Sequence, residues 1–268
     1  MVEAGREFTA LRAIHLWSKR RWLSLSMIAL GVLLLSVVGG YYLYASLARS
    51  QLGESEYIVS PDMIAQFDRF ASLYPGSLLP SLYWNDPRRA DVDYDSYSSL
   101  FEGFAPLDGD ALPEDTGKLT APTRIEIPAI GLASTVKALE ILNYGDARGW
   151  ETPKDVVGHI PTTASPGEVG NGYYFGHLLS PVKGEGSVFR NLIRIPDLLR
   201  KGQDVYIILY NEVDTAYLYQ VVQTGEVQAS DFVLEDTSDA TVTLVACVPA
   251  YVYDHRFLVT AKLVGVKG

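Results

Sequence analysis

The chain has 268 residues, of which 48% are hydrophobic and 20% charged, with 23 glycines and a single cysteine. These proportions exclude a wholly disordered chain, a collagen-like repeat and a scaffold built from disulfides. The formal net charge of −10 argues against a nucleic-acid binder, which needs a basic face to neutralise phosphates.

The sequence opens on Met1, so an untrimmed N-terminus is expected. Residues 1–22 are basic, with Arg6, Arg12, Lys19, Arg20 and Arg21, and are expected in the cytoplasm. No charged residue occurs from Trp22 to Ala48. A transmembrane helix needs roughly 20 apolar residues, and 23–44 supplies them. Trp17 and Trp22 before it, and Tyr41, Tyr42 and Tyr44 at its end, suit the two membrane interfaces. A cleaved signal peptide is the alternative, with YASLA (Tyr44–Ala48) as a weak site, but its apolar core would be shorter. The expected arrangement is a single pass through the cell membrane with the remainder extracytoplasmic.

Residues 45–119 form an acidic segment. From Gly53 to Lys118 thirteen acids face four bases, which accounts for most of the net charge of the chain. The segment reads as a linker or stalk. Pro61–Tyr74 has apolar residues at helical spacing. Asp91–Glu102 matches a calcium loop at its first, third, fifth and twelfth positions. Ser96 stands where the turn requires Gly and Ser98 where an aliphatic is needed, so a solvated acidic stretch is expected. Trp84–Pro87 (WNDP) reads as a turn, with a plug over a site as the alternative.

From residue 120 to 268 the pattern changes to short β-rich runs with turn punctuation: Arg124–Leu132, Ser134–Leu142, Asn171–Leu178, Asp204–Tyr210, Ala216–Gln223, Ala240–Cys247 and Arg256–Val266. Asn211–Asp214 joins two of them as a hairpin. Only Val188–Gly202 looks helical, with a break at Pro196. The expected class is all-β, a barrel or sandwich with one or two short helices.

Cys247 ends one predicted strand and runs into a proline-containing loop. With one cysteine, neither an intrachain disulfide nor a multi-cysteine zinc site is possible. A buried structural thiol and a nucleophile both fit that position. Arg256 starts the next predicted strand. If the two strands pair antiparallel, Arg256 lies beside Cys247, where it lowers the thiol pKa or stabilises an oxyanion. Of His159, His177 and His255, His177 has the placement best suited to acid–base work, at a strand end opening into a glycine-rich loop.

The run PGEVGNGYYFGHL, then GEGSVFRNL, TVTLVAC and RFLVTAKL, resembles a sortase from about Thr123 to Val266. Sortases are membrane-anchored cysteine transpeptidases of bacterial surfaces with an eight-stranded β-barrel, so the resemblance implies that barrel here. It implies Cys247 as nucleophile, His177 as catalytic histidine and Arg256 as catalytic arginine. Thr243 and Leu244 match the family pattern, whereas Ala246 stands where a Thr usually precedes the cysteine. The short connection Gln223–Ala240 leans toward a class D- or E-like member. The implied substrates are an LPxTG-like sorting motif and an amine from a peptidoglycan precursor or a pilin. Thr243, Leu244, Ala246, Val248 and Tyr251 are expected at the bound peptide, with Tyr253 as a further groove residue. No cofactor is implied. Calcium is conceivable at Glu168, Glu185, Glu226, Asp231, Glu235 or Asp236, although no ligand set stands out. Papain-like and NlpC-type peptidases place Cys before His, and the arginine motif of an L,D-transpeptidase is missing. A membrane-tethered β-domain that binds a surface partner without catalysis stays open as the alternative.

Overall fold

The computed structural model describes residues 4–59, 100–106, 120–144, 147–181 and 184–268. They fall into two units, Met1–Ser50 and Gln51–Gly268.

The first unit is a single helix, α1 (Ala4–Ser50). At 1.5 Å per residue it is about 70 Å long, more than twice the hydrocarbon thickness of a bilayer. Its apolar part belongs to the candidate span Ser24–Glu54, with a mean hydropathy of 1.9 and no residue of its most apolar stretch buried. Leu, Val and Tyr side chains are exposed all round it, the pattern of a helix whose surroundings are themselves apolar. The helix is therefore compatible with a membrane anchor, and it runs past both ends of the expected 23–44.

In the second unit, the strands are β1 (Tyr57–Ile58), β2 (Ala105–Pro106), β3 (Pro122–Ile127), β4 (Leu132–Ala138), β5 (Ile141–Tyr144), β6 (Ala147–Trp150), β7 (Val157–His159), β8 (Gly170–Phe175), β9 (Tyr206–Asn211), β10 (Ala216–Gln228), β11 (Ala240–Val248) and β12 (His255–Lys267). Eight of them close into a barrel in the order β10–β9–β3–β4–β7–β8–β11–β12, with β12 returning to pair with β10. The pairs β4–β7 and β8–β11 are parallel and the rest antiparallel. Strands alternate their side chains between two faces, and this alternation fills the barrel. Ile125 and Ile127, Ile207 and Leu209, Tyr217, Tyr219 and Val221, Leu244 and Ala246, and Phe257, Val259 and Ala261 form one buried core.

The expected strands are present with shifted ends, except that Ser134–Leu142 divides between β4 in the barrel and β5, which pairs with β6 in a separate two-stranded sheet. The Arg124–Leu132 run is cut by a 3-10 turn over Pro128–Ile130, and Gly131 turns the chain at φ +65. The β9–β10 hairpin is held by the Asn211 side chain, whose oxygen accepts from Val213 N at 3.1 Å and Thr215 N at 2.9 Å. In the helical stretch Pro196 does not break a helix. It sits in the first turn of α2 (Ile195–Arg200), after a 3-10 turn at Leu192–Arg194. There proline loses nothing, because the first helical N–H groups have no intrahelical acceptor.

Within the expected 45–119 stalk, two described stretches pack on the barrel. Directly after α1, β1 adds to β10, Val59 N donates to Val222 O at 2.8 Å, and Leu52 and Tyr57 pack against the barrel core, where Val59 is itself buried. Farther on, β2 adds to β12, and Leu100, Phe101 and Phe104 cover an apolar patch on the outer face of the barrel, formed by Tyr206, Ile208, Ala216 and Leu218. The Phe101 and Tyr206 rings meet edge to face at 5.0 Å. Apolar residues thus tie the described stretches 51–59 and 100–106 to the barrel. The Pro61–Tyr74 helix, the WNDP turn and residues 91–99 of the calcium-like stretch lie outside the described residues.

Candidate active site

The strands place Cys247 and Arg256 side by side at one end of the barrel, and His177 lies in the loop that follows β8. Cys247 and Arg256 are direct register partners across the antiparallel β11–β12 pair, which puts their Cβ atoms about 5 Å apart. On the other side of β11, parallel β8 pairs Phe175 with Val245, and Gly176 N continues the ladder to Val245 O at 3.2 Å. β8 ends at Phe175, and His177 follows two residues later in the loop that leaves this end of the barrel. Because β8 runs parallel to β11 and β12 antiparallel, two strand ends and one strand start meet here.

The surrounding loops are tied to one another. Tyr253 Oη, from the β11–β12 loop, donates to Leu179 O at 2.9 Å in the loop that follows β8. Phe189 N donates to His177 O at 2.9 Å. Arg256 is fixed by its own turn, donating from one guanidinium nitrogen to Tyr253 O at 3.0 Å and His255 O at 3.1 Å. Cys247 is partly buried. Burial pushes its thiol above the ordinary value, while the Arg256 charge pulls it down. The thiolate therefore depends on cationic neighbours to form.

The other two histidines are placed elsewhere. His159 lies on β7, only 3% exposed, with Nε2 at 3.1 Å from Ala164 O and its ring 4.9 Å from that of Tyr174. Burial lowers its pKa to about 4, so it is neutral near pH 7. His255 Nδ1 lies 2.8 Å from Asp254 Oδ1.

The expected peptide-contact residues separate. Leu244, Ala246 and Val248 point into the barrel core and are at most 2% exposed, so they offer no face to a peptide. Their adjacency to Cys247 in sequence suggested a groove, but strand alternation sends them to the opposite side. Thr243 is on the same side as Cys247 yet buried, donating to Asn171 Oδ1 at 3.0 Å. Asn171 Nδ2 in turn donates to Glu235 O at 3.2 Å, which pins the β10–β11 loop. Tyr251 is 55% exposed in the loop after Cys247.

An apolar cluster missed in the sequence adjoins the site on the outer face. Val245 and Tyr173 are buried there with Leu139 and Ile160, and Phe175, Leu258, Trp150 and Phe232 pack on them. Phe232 meets Phe175 edge to face at 6.0 Å. Part of the signal was available: Val245 and Leu258 lie two residues from Cys247 and Arg256 on β11 and β12, so period two puts them on the same face, and Phe175 is the register partner of Val245. Phe232 and Trp150 come from a loop and from β6, and carry no such signal. Among the described residues no group of three or more His, Cys, Asp or Glu is arranged to hold a metal ion.

The closed eight-stranded barrel carries Cys247 and Arg256 paired at one end, with His177 in the loop after β8. The family profile described as "Sortase domain" matches residues 125–264, just over half of the chain, and the chain belongs to the sortase family. Solved structures that it resembles include sortase A of Listeria monocytogenes, 18% identical with a TM-score of 0.40, covering 56% of this chain and 90% of that one. A Clostridium perfringens sortase D5 transpeptidase is 23% identical with a TM-score of 0.39, covering 65% and 91%. Sortase E1 of Streptomyces coelicolor is 16% identical with a TM-score of 0.37, covering 55% and 90%. No curated protein matches the chain in sequence.

Proposed function

We propose that this sortase is a membrane-anchored cysteine transpeptidase that cuts an LPxTG-like sorting motif and passes the acyl group to an amine. The observation that carries the reading is the direct pairing of Cys247 with Arg256, with His177 two residues past the end of the neighbouring strand β8. The Cys247 thiolate attacks the scissile carbonyl, and Arg256 stabilises the developing oxyanion. Imidazolium His177 gives its proton to the leaving amine, and a thioester remains on Cys247. An incoming amine then attacks the thioester, His177 takes a proton from it, and the thiolate leaves. The amine belongs to a peptidoglycan precursor or to a pilin lysine.

The apolar face of Phe175, Val245, Leu258 and Phe232 supports binding of the apolar part of the motif beside the thiol, with the exposed Tyr251 on the loop after Cys247 as a further contact. A helix compatible with a membrane anchor suits substrates that are themselves held at the membrane, because co-tethering raises their effective concentration. The catalytic barrel then works outside the cytoplasm, with the N-terminus inside. The test is to incubate the purified chain with LPxTG-type peptides and a small amine and to search by mass spectrometry for the transfer product. A product that requires both the amine and Cys247 supports the reading; hydrolysis alone, or no reaction with any peptide, counts against it.

A further inference from the structure

We propose that Glu185 is a positioning residue for His177: its carboxylate faces ring Nε2, stabilises the imidazolium and leaves Nδ1 to exchange the proton in the reaction proposed above. This deepens that reading and rests on it.

The geometry gives His177 one charged neighbour from its own loop. Its Nε2 is buried and makes no hydrogen bond among the described residues. Glu185 Oε2 faces that nitrogen at 3.8 Å. In resting enzymes, catalytic hydrogen bonds are often long and tighten only when substrate is bound.

Glu185 is itself held in place. Ser180 Oγ donates to the same Oε2 at 2.5 Å, and the Glu185 carbonyl accepts from Asp155 N at 3.0 Å. Glycines flank it, Gly184 at φ +91 and Gly186 at φ +74, both in the region that other residues rarely adopt. A side chain at position 186 would run into the Asp155 carboxylate. The sequence Gly-Glu-Gly thus fixes a backbone shape that aims one carboxylate back at the histidine.

The charged group set against His177 is Glu185 on its own loop; Asp155 lies behind Gly186, and Cys247 and Arg256 pair at the ends of β11 and β12. A nucleophile, a histidine and a third group that orients the histidine is a recurring logic of covalent catalysis. Fixing one ring nitrogen also decides which nitrogen carries the exchangeable proton.

The test uses the full chain in detergent and follows iodoacetamide alkylation of Cys247 from about pH 5 to about pH 10. Glu185→Gln keeps the shape and the Ser180 hydrogen bond but removes the charge, whereas Glu185→Asp keeps the charge. The expected result is alkylation about tenfold slower in Glu185→Gln near neutral pH, converging with the unsubstituted chain at high pH, with Glu185→Asp largely restored. With a sorting peptide, kcat falls about 10- to 100-fold in Glu185→Gln while KM stays within about twofold. The proposal is overturned if Glu185→Gln follows the unsubstituted chain at every pH. It is equally overturned if both variants slow alkylation by one factor at all pH values, which marks a loop that has lost its shape. Alkylation needs no substrate, so failure of every peptide to react counts against the transpeptidase reading while Glu185 is still tested.

Discussion

On β11, Val242, Leu244, Ala246 and Val248 turn into the barrel, whereas Thr243, Val245 and Cys247 turn outward beside β8 and β12. One strand thus serves two purposes that its sequence interleaves residue by residue. The inner set is fixed by close packing, where a lost methylene is felt. The outer set is fixed by what lies across the neighbouring strands: Asn171 for Thr243, Phe175 for Val245 and Arg256 for Cys247. Proximity to the nucleophile along the chain therefore says little about proximity on the face where chemistry occurs.

The largest effect tests how far the barrel extends beyond its eight strands. Deleting residues 100–106 uncovers Tyr206, Ile208, Ala216 and Leu218, and a chain beginning at Thr120 also loses β1. Both are expected to aggregate or to elute as soluble oligomers by size-exclusion chromatography, because an exposed apolar face of this kind drives association. A monomeric, cooperatively folding piece starting at Thr120 would restore the stalk reading.

Next is the comparison of the two faces of β11 itself. Leu244→Ala should cost about 2–5 kcal/mol in denaturant unfolding, as for other buried leucines. Val245→Ala should cost only about 1–2 kcal/mol for its two lost methyl groups, and should raise KM for a sorting peptide as well. Equal costs with no change in KM would remove the outer cluster from the peptide site.

A third effect separates His159 from His177. The folded His159 titrates near 4, below its ordinary 6.5. The unfolded chain then binds the extra proton first, so this contribution to stability is complete above about pH 6.5 and is lost as pH falls toward 4. The loss is about 3 kcal/mol. Melting temperature should fall across that window, and less steeply in His159→Gln. An unchanged slope in the variant would assign the acid sensitivity to other groups.

The smallest effect concerns the thiol. Arg256→Ala removes the charge that opposes burial of Cys247. Alkylation near pH 7 should slow about tenfold, with little change in melting temperature. An unaltered rate would mean that the register pairing of these residues has no electrostatic consequence.

The barrel was legible because its long strands announce themselves. β9, β10, β11 and β12 are rich in Val, Ile, Leu and Tyr, and the hairpin at Asn211 has a side chain suited to its turn. The three-residue β7, needed to close the barrel, was not expected as a strand; Val157–His159 is too short to carry a period, and Gly158 is there because a side chain would strike Leu139. Cys247, His177 and Arg256 stood out by residue type and strand-end position. Phe232 and Glu185 did not, because loops brought them in. The coverings at 51–59 and 100–106 were hidden by the acidic composition around them, although Phe101 and Phe104 were the apolar residues that mattered.

The central claim is that Cys247 forms a thioester with a sorting motif, and intact-protein mass spectrometry of the full chain tests it most directly. An LPxTG-type peptide, added without an amine, should leave an adduct equal to the acyl fragment on Cys247. The adduct should discharge when an amine is added and be missing from Cys247→Ala. A chain that never gains mass with any peptide, while Cys247 still reacts with iodoacetamide, would contradict the claim and leave the barrel as a binding domain.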